Sequence, residues 1–289
     1  MERELWMIVS RSITCLDRHL WKGRKTHSVG TILRVYLWSV LNERPVCWAC
    51  QRKNWRGVKP PETLPDQSTM SRRLREEATH QMMQQLTKKL NRSNRHGLVR
   101  YLDGKPLTVS RHSIDADAAH GRGAGGKDRG YKLHAIYAEG NAPLAWSVTP
   151  LNANEHHAAV PLIDERLQPG YLLADANYDA NHLYDHCGQH GIQLLTPRRF
   201  RKVKGFGRHK HSPYRIDAIT RLLDPSPFVR EMLKLRKRVE TRFAHLTNFG
   251  GGLTGLPPWV RRIHRVKLWV AGKIILRIAR DNNLRKLAA

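Results

Sequence analysis

The sequence predicts an α/β protein: a helical region over residues 1–97, followed by a mixed sheet flanked by helices over residues 98–289. Three observations carry that expectation. Apolar residues recur with the helical period in Val29–Leu41 and again in Met82–Leu90. From residue 98 the period shortens to that of strands, in Leu98–Val109, Tyr131–Ala138 and Leu144–Thr149, with turn signals at Asp103-Gly104 and Glu139-Gly-Asn141. Helix and strand patterns then alternate: a helix over His156–Leu167, a strand over Gly170–Asp175, a helix over Asn181–His190 and a strand over Ile192–Thr196.

Taken in order, the first region holds a short segment of particular interest, residues 64–76. Pro65 and Asp66 suit a helix start, and Ser71, Arg72, Arg73 and Arg75 then share one short helix, as in the second helix of a helix-turn-helix. The alternative is a solvated basic helix. The first three strands read as an antiparallel meander. Residues 198–227 are basic and rich in Gly and Pro, and read as a mobile loop. A helix is expected from about Phe228 to Thr247, stopped by Gly250-Gly-Gly252, and a last amphipathic helix over Trp259–Arg280. The C-terminal helices are expected to complete the sheet domain.

Charge narrows the function classes. The chain has 51 Lys+Arg against 24 Asp+Glu, a net charge of +27. The excess is uneven: residues 1–98 carry +11, residues 99–197 carry −3 and residues 198–289 carry +19. Two basic flanks around a mildly acidic centre suit a protein that grips a phosphate backbone while acidic groups collect metal between them. No apolar run approaches the roughly 18 to 20 residues of a membrane span, so a soluble, intracellular protein with no membrane partner is expected. Cys15, Cys47, Cys50 and Cys187 form no disulfide framework, and Cys47-Trp-Ala-Cys50 lacks nearby partners for zinc. Those cysteines read as small buried residues beside Trp48 and Trp55.

The acidic centre contains the candidate chemistry. Two-metal phosphoryl transfer needs carboxylates converging on ions about 3.5 to 4 Å apart. Asp103 at the end of the first strand, Asp175 at the end of the fourth, and Glu240 in the late helix can converge in that way. Arg236 lies one helical turn before Glu240 on the same side, beside the stripe Met232, Leu235, Val239, Phe243 and Leu246.

Tyr101-Leu-Asp-Gly-Lys105, Leu173-Ala-Asp-Ala-Asn-Tyr-Asp179 and Arg236-Lys-Arg-Val-Glu-Thr-Arg-Phe243 resemble, in order and spacing, the three catalytic segments of DDE-type transposases of bacterial insertion sequences. The resemblance implies an RNase H-like core, preceded by a helical DNA-binding region. It also implies cleavage at transposon ends and transfer of the freed 3′ hydroxyl into target DNA. It assigns Asp103, Asp175 and Glu240 to two magnesium ions, with manganese as the substitute, and Arg236 to DNA. The partners it implies are terminal inverted repeats, target DNA and at least a second copy of the chain, in a cytoplasmic, nucleoid-associated setting. Three positions depart from the pattern: Leu233, Thr247 and Asn177. Only 65 residues separate Asp175 from Glu240, which leaves no room for an inserted domain.

Other signals are discounted. Gly121-Arg-Gly-Ala-Gly-Gly-Lys127 has the spacing of a phosphate-binding loop but continues with Asp128, so it reads as a flexible loop, with Lys127, Arg129 and Lys132 as candidate DNA contacts. Glu155-His-His157 reads as a helix start, and Asp115 and Asp179 as surface residues, the latter a candidate cap. Two rivals remain beside the transposase: a nuclease of the same fold, and a DNA-binding protein descended from a transposase that no longer cuts.

Overall fold

The computed structural model describes residues 2–20, 26–91, 97–123, 125–140, 142–165, 167–199, 211–248 and 252–288, without the side chains of residues 2, 19, 20, 237–239 and 285–288. The chain divides into two compact units, residues 1–93 with 246–289, and residues 94–245.

The first unit is helical. Helix α1 (Glu2–Leu20) buries Leu5, Trp6, Val9 and Ile13 at helical spacing. Helix α2 (Val29–Leu41) occupies the segment that the apolar period marks. Its start is fixed by Ser28, whose hydroxyl oxygen accepts from the Thr31 amide at 3.0 Å, and by Asp17 of α1, which accepts from the Gly30 amide at 2.9 Å. The short α3 (Val46–Ala49) leads to a tryptophan cluster: Trp38 lies 5.0 Å from Trp6, 5.2 Å from Trp55 and 6.5 Å from Trp48. Cys47 and Cys50 flank Trp48 as free thiols, half-buried rather than buried as expected, and burial pushes the Cys50 thiol up to about 11, which keeps it protonated near neutral pH.

Helix α4 (Gln67–Arg73) begins where expected, with the Asp66 carboxylate accepting from the Thr69 amide at 2.7 Å. Helix α5 (Glu77–Leu90) buries Met82, Met83, Leu86 and Leu90.

The last helix of the chain, Ile263–Ala288, packs on α1, α2 and α5 in this unit. The expectation that it completes the sheet domain is therefore corrected. So is its amphipathic reading, because Val266, Leu268, Trp269, Val270 and the run from Ile274 to Ala279 are buried around the whole circumference. A helix at the centre of a bundle has no solvent face to generate a period. Lys273 lies on it fully buried, its ammonium 2.8 Å from the Glu43 carboxylate and 4.8 Å above the Trp269 ring.

The second unit is built on one mixed sheet, the RNase H-like arrangement expected. Strand β1 (Val99–Thr108) pairs antiparallel with β3 (Gly126–Tyr137), which pairs antiparallel with β2 (Ala119–Gly123) and with β4 (Ala145–Pro150). On its other edge β1 runs parallel to β5 (Gly170–Leu173), and β5 runs parallel to β6 (Ile192–Leu195).

Two sequence readings change here. The glycine-rich segment expected to be a flexible loop is the β2–β3 hairpin. Its glycines serve close backbone approach: a Cβ on Gly130 would stand 2.3 Å from the Leu107 carbonyl oxygen, and one on Gly121 2.6 Å from that of Leu151. Strand β1 also does not turn at Asp103-Gly104. Pairing with β5 stops at Tyr101, while pairing with β3 continues to Thr108. Beyond Tyr101 one edge of β1 is open, which is why Pro106 is tolerated there.

Helix α6 (Glu155–Ala159), shorter than expected, continues into a 3₁₀ turn at Val160–Leu162, and α7 (Asn181–Gln189) packs against β6. Part of the stretch expected to be a mobile loop is helix α8 (Pro213–Leu223), capped by Ser212; residues 200–210 lie outside the described residues. The late helix is two: α9 (Pro227–Lys234) and α10 (Arg238–Thr247), joined by a 3₁₀ turn at Leu235–Lys237. With these introduced, the final helix Ile263–Ala288 is α11. The Gly250-Gly-Gly252 stop falls mostly outside the described residues.

Candidate active site

The parallel register of β1 and β5 sets the site. Tyr101 pairs with Leu173, so Asp103 and Asp175 stand at corresponding positions, each two residues further along, where β5 leaves the sheet and β1 continues. Asp175 then starts a 3₁₀ turn, Ala176–Tyr178, and accepts from the Asn177 amide at 2.9 Å. Asp103 accepts from the Gly104 amide at 2.7 Å. Gly104 keeps the space beside it open: a Cβ there would lie 3.0 Å from Lys132 Cδ and 3.5 Å from the Tyr178 hydroxyl.

The electrostatics are those of anions crowded into a half-buried cleft. Burial pushes Asp103 up to about 6; the charges of Asp175 and Glu155 add to the rise, and the Gly104 amide and Arg236 oppose it. Asp175 is raised by burial and by Glu155, against the Asn177 amide, Arg236 and Lys132. Tyr178 is raised well above the ordinary phenol range by burial, then by Glu155, Asp103 and Asp175. Its hydroxyl is buried and hydrogen-bonds to none of the described residues. His134 is held down at about 4 by burial, with its Nε2 2.9 Å from the Thr149 hydroxyl.

Of the residues singled out from sequence, Asp103, Asp175 and Arg236 are thus coupled to one another. Arg236 sits in the 3₁₀ turn between α9 and α10, and Glu240 stands one turn beyond it, exposed, in the first turn of α10. The glutamate whose charge both aspartates feel is Glu155, ion-paired to Lys132. Among the described residues, three metal-competent side chains come within 4.8 Å of one another only at His156, His157 and His182, so Asp103, Asp175 and Glu240 are not drawn together to that distance.

Several cations sit otherwise than expected. Lys132 is 8% exposed and turned to Glu155, not outward. Arg129 is used to hold the loop before β2, donating to the carbonyls of Ala118 at 3.2 Å and Asp115 at 2.7 Å and to that of Ser113. Lys127 is exposed at the hairpin. Helix α4 ends at Arg73, so Arg75, expected on the same helix, lies in the turn after it; Arg72 and Arg75 are exposed, but Arg73 is 3% exposed, donating to the His27 carbonyl at 3.2 Å and paired with Glu76 at 3.3 Å.

Sequence reasoning missed Tyr178 and gave Glu155, Lys132 and Asp179 other roles: a helix start, a DNA contact, and a surface residue or cap. Glu155 is the helix start expected, but its second role depends on β3 bringing Lys132 to it. Asp179, read as a surface residue, has a side chain 2% exposed and binds Arg215 of α8 in two parallel bonds of 2.7 and 2.9 Å. Asp115 is likewise buried, accepting from the Tyr131 hydroxyl at 2.8 Å. A charged residue in a connection between strands gives no sign of its burial until its partner is placed.

The set of donors fits a hard divalent cation. Asp103, Asp175 and the Tyr178 hydroxyl, which has no hydrogen-bond partner among the described residues, are all oxygen, and two carboxylates held above their usual pKa by burial and by neighbouring carboxylates, Glu155 for both and Asp175 for Asp103, gain most from a positive charge.

No curated protein and no solved structure was found to match the chain. A family model described as "Transposase DDE domain" matches residues 94–256, more than half of the chain and a span that holds the sheet, both aspartates, Arg236 and Glu240. On that match the chain belongs to the transposases with a DDE domain.

Proposed function

We propose that the chain cleaves phosphodiester bonds at the ends of a mobile DNA element and transfers the freed 3′ hydroxyl into target DNA. In this reading Asp103, Asp175 and Glu240 hold two magnesium ions. The observation that supports it most is the placement of Asp103 and Asp175, each two residues beyond the last register pair of the parallel strands β1 and β5, with both carboxyls raised in pKa by burial and both lowered in turn by the charge of Arg236.

Two divalent cations bound there would activate the attacking oxygen and stabilise the leaving one. The chain's own residues do the rest. Asp103 and Asp175 must shed protons to bind cations, which couples occupancy to pH. Arg236, whose charge lowers the pKa of both, would offer a guanidinium to a phosphate brought to them. Lys132 keeps Glu155 oriented beside the aspartates. Arg72, Arg75 and Lys127, all exposed, supply contacts to double-stranded DNA outside the cleft. Joining two element ends calls for at least a dimer on DNA.

The experiment is end cleavage and end joining with a labelled terminal-repeat duplex, a target duplex and magnesium, by wild type, Asp103→Asn and Asp175→Asn. Joined product from wild type alone is expected. Cleavage without joining would replace the transposase with a nuclease of the same fold, and binding alone with a DNA-binding descendant.

A further inference from the structure

Next to the carboxylate site, but made of different donors, lie three imidazoles from two helices. His156 and His157 are the second and third residues of α6, and His182 is the second residue of α7. Their ring centroids are 4.6 to 4.9 Å apart, and one ligand nitrogen from each lies within 4.8 Å of the others. Like-charged or neutral rings gain little from such a cluster at the surface, and the apolar side of both helices is already supplied by Ala158, Ala159, Leu183 and Tyr184.

The distances suit a common ligand. Two nitrogens bonded to one tetrahedral zinc at about 2.0 to 2.1 Å stand roughly 3.3 to 3.4 Å apart. His156 Nδ1 and His182 Nε2 are 3.3 Å apart. The third nitrogen needs a shift of about 1.5 Å, within the range of side-chain rotation at an accessible position. Three imidazoles and no oxygen donor select a zinc-class transition ion over magnesium, which prefers oxygen ligands at octahedral geometry.

We propose that His156, His157 and His182 form a binding site for one zinc-class divalent ion, separate from the carboxylate site, with its fourth position open. The ion ties α6 to α7. Helix α6 begins with Glu155, and α7 follows the turn that carries Asp175 and Tyr178, so the tie fixes the two segments that border the aspartates. The site depends only on these three side chains and not on what the aspartates catalyse.

The test titrates cobalt(II) into the full chain in excess magnesium, which keeps the carboxylate site occupied by an oxygen-preferring ion, and follows visible absorption of tetrahedral cobalt with zinc competition. Wild type should take up one ion with tetrahedral bands that zinc removes. His182→Ala and, separately, the exposed-site variant His157→Ala should each weaken uptake at least 10-fold while keeping the metal-free melting temperature. Two variants on different helices guard against one failing to fold. Absence of tetrahedral uptake by wild type, uptake unchanged in both variants, or near-ultraviolet thiolate bands that move the ion to the cysteines would each overturn the proposal.

Discussion

Lys132 of β3 and Glu155 at the start of α6 form an ion pair with side chains only 10% and 15% exposed, on the border of the two aspartates. Removing one partner of such a pair leaves the other charge buried, whereas removing both is far milder. Glu155→Gln should therefore lower unfolding free energy by about 2–4 kcal/mol. The double variant Lys132→Met with Glu155→Gln should recover most of the loss. Denaturant unfolding measures both, and wild-type stability in the single variant would show that solvent already screens the pair.

Asp103 gives a pH signature. Its folded pKa, about 6, is above the usual 3.8, so the fold favours the protonated form. The stability from this group is whole below about pH 4 and is lost as pH rises through about 6. Asp175, also raised, acts in the same direction. In metal-free buffer, Asp103→Asn should gain on wild type across that window, reaching on the order of 2 kcal/mol at pH 7–8. Melting curves of both proteins from pH 4 to 8 check it. A wild type that gains on the variant as pH rises would reverse the sign.

Glu240 and Glu155 can be separated as candidates for the third metal ligand. Glu240 is exposed, so Glu240→Gln should leave the melting temperature nearly unchanged; as a metal ligand, its loss should reduce magnesium-dependent end cleavage by several orders of magnitude. Near-wild-type cleavage by that variant, with none from Glu155→Gln, would transfer the role to Glu155.

The arginines of α4 and of the turn that follows it should divide by burial. Arg72→Ala with Arg75→Ala removes two exposed charges and should weaken DNA binding, and flatten its salt dependence, without moving the melting temperature. Arg73→Ala removes the bond to the His27 carbonyl and the Glu76 pair, and should destabilise the helical unit by about 1–3 kcal/mol. Filter binding at two salt concentrations beside melting curves tests both. Equal binding by the double variant would remove the end of α4 and the turn after it from the DNA surface.

Glu43 and Lys273 offer the corresponding test in the first unit. Lys273 is fully buried, while the Glu43 side chain is half exposed, so screening reduces what the pair contributes. Glu43→Ala should cost roughly 1–3 kcal/mol, and Lys273→Met should be neutral or stabilising. The reverse order in denaturant unfolding would mean that the ammonium is net favourable where it lies.

What the sequence made legible follows the reach of its signals. Helix α2, the strands β5 and β6, helix α7 and the Asp66 cap are local patterns, and they stand where period and capping chemistry put them; β1 starts where its period does but runs through the turn signal at Asp103-Gly104. Asp103 and Asp175 were legible through motif spacing, and their coupling follows from strand register. The α11 placement was not, because a helix buried on every side has no period that names its neighbours. The β2–β3 hairpin was hidden by its glycines, which signal loops in sequence and close backbone approach in the sheet. Glu155 was read as a helix start only, since nothing near it in sequence indicates Lys132 across the fold.

The 3₁₀ turn at Leu235–Lys237 acts as a gear between α9 and α10. Each 3₁₀ residue advances about 120° around the axis, against about 100° in an α-helix, and rises about 0.5 Å more. Three such residues offset α10 by roughly 60° and 1.5 Å from where an unbroken helix would carry it. At the roughly 5–6 Å radius of a helix with its side chains, that angle is an arc of about 6 Å, the breadth of a carboxylate and its hydration. The phase of one short turn thus shifts the bearing of Glu240 by about as much as a change of rotamer along the side chain itself.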